Sequence, residues 1–66
     1  PDSLSTIDLS KRESEVLGLI LQGRDVPAMA DALGLSKNTV RTHVKSLYAK
    51  FDVHARQELI GLFHTE

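Results

Sequence analysis

Apolar residues fall into four blocks along the chain, each with a helical step and each bounded by polar or glycine punctuation. In residues 9–23, Val16, Leu17, Ile20 and Leu21 recur at the three- and four-residue spacing that lines one helix face. Ser10 precedes this stripe with Glu13 three residues on, the pattern of a reciprocal N-terminal capping box, and Leu9 is placed to staple the first turns. Gly23 supplies the stop. A shorter helix is expected over 25–33, with Asp25 as its N-cap and Pro27 in the first turn, where a missing N–H does no harm. Met29, Ala30 and Leu33 form its apolar face, and Ala30 is small enough to let another helix come close. Gly34, Leu35 and Ser36 read as a hinge: a glycine with positive φ, a plug for the core, and a cap for the third helix.

That third helix is expected over 37–51, with Val40, Val44, Leu47 and Phe51 stepping by four, three and four along one face. Asp52 and Val53 lead out of it. A fourth, over 55–64, carries Leu59, Ile60, Leu62 and Phe63. No stretch alternates as a strand would. Residues 1–8, "PDSLSTID", read as a linker or frayed end, and 9–66 as one all-α domain. Four short helices with a tight glycine turn between the second and third describe a helix-turn-helix unit.

Charge sharpens this picture. The chain has nine acids against eight Lys and Arg, yet the third helix carries four bases and no acid. Residues 1–35 sum to −3, residues 36–52 to +3 and residues 53–66 to −1. Lys37, Arg41 and Lys45 advance by four and form a ridge turned away from the apolar face, with Thr42 and Ser46 beside it. Asn38 and Thr39 lie in the first turn, near backbone N–H groups that favour phosphate. Arg and Lys donate to guanine edges, Thr offers a hydroxyl or a methyl, and short polar residues hold phosphates, so this helix suits a major groove. A basic helical face is often only a solvated face. The helix-turn-helix spacing and the polar first turn favour DNA over that reading.

With 66 residues the chain is a single domain near the lower size limit for an unaided hydrophobic core. It has no cysteine, hence no disulfide or thiolate metal site, and no apolar run of membrane-span length. The lack of Cys fits the cytoplasm, whether or not an upstream part anchors the full-length protein at a membrane. A start at Pro1 without Met suggests a piece of something longer. His43, His54 and His64 are ten or eleven residues apart, the wrong spacing for a metal pair on one helix. His43, on the flank of the core face, is expected to be half-buried and to donate a hydrogen bond across the helix-turn-helix crossing; His54 is expected on a loop surface and His64 at a fraying end. There is no G-x-S-x-G elbow or glycine-rich phosphate loop. Catalysis and a cofactor are therefore not expected.

"LSKRESEVLGLILQG", "MADALGLSKNTVRTHVKSLYAKFDV" and "RQELI" together resemble the LuxR-type DNA-binding domain at the C-terminus of many bacterial transcription regulators. The resemblance covers residues 9–63, with several motifs in the family's order and spacing. It implies a four-helix fold whose third helix reads the major groove and whose fourth helps dimerisation on DNA. It implies base-edge contacts from Arg41, Thr42 and Lys45, and phosphate contacts from Ser36, Lys37, Asn38, Thr39, Tyr48 and Arg56. Glu13, Leu17 and Gly23 match positions that are structural in the family. The chain departs from the pattern at Val26-Pro27-Ala28, where the family usually has a polar first turn. It departs again at Asp25, a carboxylate that caps well but repels phosphate.

The expected function is sequence-specific binding of double-stranded DNA by a bacterial transcription regulator, as a homodimer that recruits or blocks RNA polymerase, with no membrane contact by this domain. The fourth helix is more apolar than one buried side requires. Either most of it packs on the first helix, or part of it, Leu59 and Leu62 foremost, forms a weak symmetric contact through 55–63. The rival to DNA binding is a non-catalytic interaction module that docks an acidic partner on its basic helix. Such a module would favour an aromatic or aliphatic anchor where this chain has "SKNT".

Overall fold

The structure is a computed structural model, and it describes residues 8–64. Residues 1–7 of the expected linker and residues 65–66 lie outside the described residues. Four helices occur in order among the described residues: α1 (Lys11–Leu21), α2 (Val26–Leu33), α3 (Lys37–Phe51) and α4 (Arg56–Leu62). Each expected element is present, shorter than its sequence block where caps flank it. The first three helices begin where polar side chains take up otherwise orphaned backbone donors, whereas α4 starts at Ala55 with no side-chain cap. Ser10 Oγ accepts from the Glu13 N–H at 3.1 Å while Glu13 Oε1 accepts from the Ser10 N–H at 2.9 Å, the full capping box. Asp25 Oδ1 accepts from the Ala28 N–H at 3.0 Å, and Ser36 Oγ from the Thr39 N–H at 3.1 Å.

Three helix ends share one device. After α1 the Arg24 N–H reaches the Leu19 carbonyl at 3.0 Å and the Gly23 N–H reaches Ile20 at 2.9 Å, with Gly23 at φ 88°. After α2 the same pair runs from Leu35 to Ala30 at 2.9 Å and from Gly34 to Asp31 at 3.4 Å, with Gly34 at φ 69°. This tight closure is the turn of the helix-turn-helix. After α3 it runs from Val53 to Tyr48 at 3.0 Å and from Asp52 to Ala49 at 3.3 Å. Here an aspartate, Asp52, holds the left-handed position at φ 57°.

α3 lies against α1 and α2, and α4 touches α1 and α3. The core takes Val16, Leu17 and Ile20 from α1, Met29 and Ala30 from α2, Val40, Leu47 and Phe51 from α3, Val53 from the loop, and Leu59 from α4. Val44 and the hinge residue Leu35 pack against it half-buried. Phe63 closes the far side, its ring edge-on to Phe51 at a centroid distance of 5.5 Å. One expectation needs correcting. Leu59 is 0% exposed within this single chain, so it belongs to the core and cannot line a dimer face; Leu62, 42% exposed, is the α4 leucine at the surface. α4 packs on both α1 and α3, and Leu59 is the residue of that helix buried in the core. Among the described residues no helix is long and apolar enough to cross a membrane.

Candidate nucleic-acid interface

α3 has two sides because its apolar residues and its bases follow the same helical period out of phase. Val40 and Leu47 are fully buried, while Lys37, Asn38, Arg41, Thr42 and Lys45 are exposed. The first turn has no acidic residue, so its unpaired N–H groups and the positive end of the helix dipole act in the same sense as the lysines. Polar side chains on this face bond to groups of the same helix start. Ser36 Oγ donates to Thr39 Oγ1 at 2.9 Å, leaving Thr39 its own proton to donate outward. Thr42 Oγ1 donates to the Asn38 carbonyl at 3.1 Å, and Arg41 Nη1 donates to Asn38 Oδ1 at 3.2 Å.

The second half of α3 behaves differently. Ser46, expected beside the ridge, turns inward and donates to Glu13 Oε2. Lys50 Nζ donates to Glu13 Oε1 at 2.7 Å and to the Asp8 carbonyl at 2.8 Å. Glu13 thus caps α1 and also grips α3, with its side chain 8% exposed. The hydrogen bonds from Lys50, Ser46 and the Ser10 backbone hold its carboxyl down at about 2, outweighing the desolvation that would raise it. Of the four α3 bases, then, Lys50, itself exposed, is the one tied to α1 through Glu13. The signal for this could not be local, because Glu13 lies 33 and 37 residues from its partners.

The remaining expected residues are spread around this face. Tyr48 is half-buried and packs against the core. Arg56, also half-buried, sends Nη2 to the carbonyls of Ile20, at 3.4 Å, and Arg24, where it satisfies the C-terminal end of α1. Sequence reasoning had no means of finding this tether, which joins groups 32 and 36 residues apart. His43 is half-buried as expected, but its ring makes no hydrogen bond across the crossing to any described residue. His54 is exposed, and its backbone N–H donates to Glu58 Oε1 at 2.7 Å ahead of α4. At Asp25 the carboxylate is engaged by its own helix.

The family model for bacterial regulatory proteins of the luxR family matches residues 8–63, which take in all four helices and the glycine-closed turn. The chain belongs to the LuxR family. It is 47% identical over 55 residues to an HTH-type transcriptional regulator from the exeN 3′ region of Aeromonas salmonicida, covering 83% of this chain and 28% of that protein. It is 38% identical over 60 residues to the HTH-type transcriptional regulator MalT of Yersinia pestis, covering 91% of this chain and 7% of MalT. The chain therefore spans well under a third of the length of these relatives. The all-α helix-turn-helix fold is the LuxR-family fold, and the exposed row on α3 is its outward surface.

Proposed function

We propose that this LuxR-family domain binds double-stranded DNA sequence-specifically for transcription regulation, with α3 in the major groove. The observation that carries this is the exposed row of Lys37, Arg41, Thr42 and Lys45 on the side of α3 opposite fully buried Val40 and Leu47. The relatives' names, which are those of transcriptional regulators, support it. Arg41, Thr42 and Lys45 read base edges. Ser36, Lys37, Asn38, Thr39 and Tyr48 hold phosphates, so they fix the register without reading sequence. Arg56 is the weakest member of the phosphate set, because Nη2 is already held by two carbonyls. The domain carries no chemistry of its own and works in the cytoplasm.

So few phosphate contacts make a single copy a weak, salt-sensitive binder, and a second copy on an adjacent half-site raises affinity through its higher local concentration. The α4 surface around Leu62 supplies the contact between copies, and the assembled dimer recruits or blocks RNA polymerase. The decisive experiment selects bound sequences from a randomised duplex pool at near-physiological salt, with the wild type and with Arg41→Ala. The expected result is an enriched, roughly palindromic site that loses definition at one position in the variant. Binding that merely fades as salt rises, with no enriched sequence, would sink the reading and favour a basic surface that docks an acidic protein.

A further inference from the structure

We infer that Asn38 is the residue that positions Arg41 for base reading, and so sets how sharply this domain discriminates at the base pair Arg41 faces. The inference rests on the DNA-reading role of α3 and adds to it a residue that need not touch a base itself.

Asn38 meets both neighbouring readers. Its side-chain oxygen accepts from Arg41 Nη1 at 3.2 Å, and its backbone carbonyl accepts from the Thr42 hydroxyl at 3.1 Å. Arginine has only donors, so the first contact fixes the orientation of the amide: Oδ1 faces Arg41 and the Nδ2 donors face away from it. That leaves Nδ2 for a phosphate while Oδ1 aims the guanidinium, one short side chain linking backbone capture to base reading. The spacing makes this possible, because residues three apart on a helix are neighbours on its surface.

The physical value lies in ordering. An exposed arginine has many rotamers, and pairing it with a guanine edge requires freezing most of them. A partner on its own helix narrows that set before DNA arrives, so less freedom is lost on binding. A guanidinium nitrogen of the η type carries two protons, so Nη1 can keep its bond to Asn38 and still offer a second proton to a base. The planar fork then meets the groove in a restricted direction. This favours the acceptor pair on guanine over bases that do not match that geometry. A general phosphate contact would strengthen binding to every sequence alike and would leave discrimination untouched.

The test is competition binding of the whole chain to a panel of duplexes that differ only at the base pair that Arg41→Ala identifies. Four proteins are compared: wild type, Asn38→Ala, Arg41→Ala and the double variant. Thermal melts confirm that each is folded, and alanine at this exposed helical position does not endanger the helix. Asn38→Ala is expected to lower the preferred-to-other base ratio by about two-fold, the scale of one exposed pair on a helix surface. It should have no effect on that ratio once Arg41 is absent. Asn38→Asp keeps the oxygen that faces Arg41, so it should hold the base ratio while weakening binding to all duplexes through repulsion of phosphate. Equal weakening on every duplex by Asn38→Ala, with the ratio unchanged in the presence of Arg41, would make Asn38 a phosphate contact only and overturn the inference. If Arg41→Ala alone shifts no preference at any position, the base-reading role itself falls, and the inference with it.

Discussion

The two halves of α3 are built from the same kinds of residue and meet opposite fates. Lys45 is exposed in a basic row, whereas Lys50, five residues on, pairs with a buried carboxylate. Thr42 uses its hydroxyl on its own helix, whereas Ser46 reaches across to Glu13 on α1. The helical period decides which residues share a face, but the group standing opposite that face decides their role. Along the second half, α1 brings Glu13 against α3, and its charge is compensated there by one ammonium and one hydroxyl. A buried carboxylate without such partners would be strongly unfavourable. Lys50 is therefore a structural cation and Lys45 an available one, although both look alike in the sequence.

Breaking this contrast at the core should give the largest effect. Leu47 is fully buried on the inner face between the two halves, so Leu47→Ala should destabilise the domain by about 2–5 kcal/mol, read from thermal or denaturant unfolding. On the outer face, Arg41→Ala and Lys45→Ala should each cost about 1–3 kcal/mol of binding to a selected site while the melting temperature stays nearly unchanged. Lys50→Ala should do the reverse, lowering the melting temperature while affinity measured well below it changes little. If Lys45→Ala and Lys50→Ala moved the same observable, the division between the halves would be wrong. Lys37→Ala should weaken all duplexes alike and reduce the salt slope by about 1.

The Glu13 anchor can be probed by pH. Its carboxyl sits at about 2 in the folded domain against an ordinary 4.5, so the folded state favours the ionised form. The stability this gives is complete above the ordinary value and drains away as pH falls from there toward 2. The wild type should thus lose melting temperature over this range more steeply than Glu13→Gln, which is destabilised throughout. Parallel acid limbs for the two proteins would show that the carboxylate does not anchor α3. The smallest effect is expected at the end of the same helix. Asp52 holds a left-handed conformation that glycine adopts without strain, and its charge opposes the helix dipole. Asp52→Gly should stabilise by about 0.5–1 kcal/mol, part of the gain being offset by the freer unfolded chain.

How much could be read in advance differs by element. The capping box at Ser10 and Glu13, the caps at Asp25 and Ser36, and the hinge at Gly34 were legible because capping involves partners three residues apart and turns need particular backbone conformations. The inner and outer faces of α3 were legible through period alone. α4 was not, because its apolar residues cover more than one side and only the packed neighbours select Leu59 for burial and leave Leu62 at the surface. The crossing hydrogen bond expected of His43 is absent among the described residues for the same reason: half-burial comes from phase, but a partner has to be delivered by another element.

Sequence by itself determined the helices, their caps, the glycine-closed turn and the phase that sets bases against the core, since all of these depend on neighbours within about one or two helical turns. Tertiary structure alone decided that Glu13 caps one helix and clamps another, that Lys50 and Ser46 leave the basic face, and that Arg56 closes the end of α1. The reason is physical. A charged or hydroxyl side chain takes its role from the group that satisfies it, and here those groups arrive from more than thirty residues away.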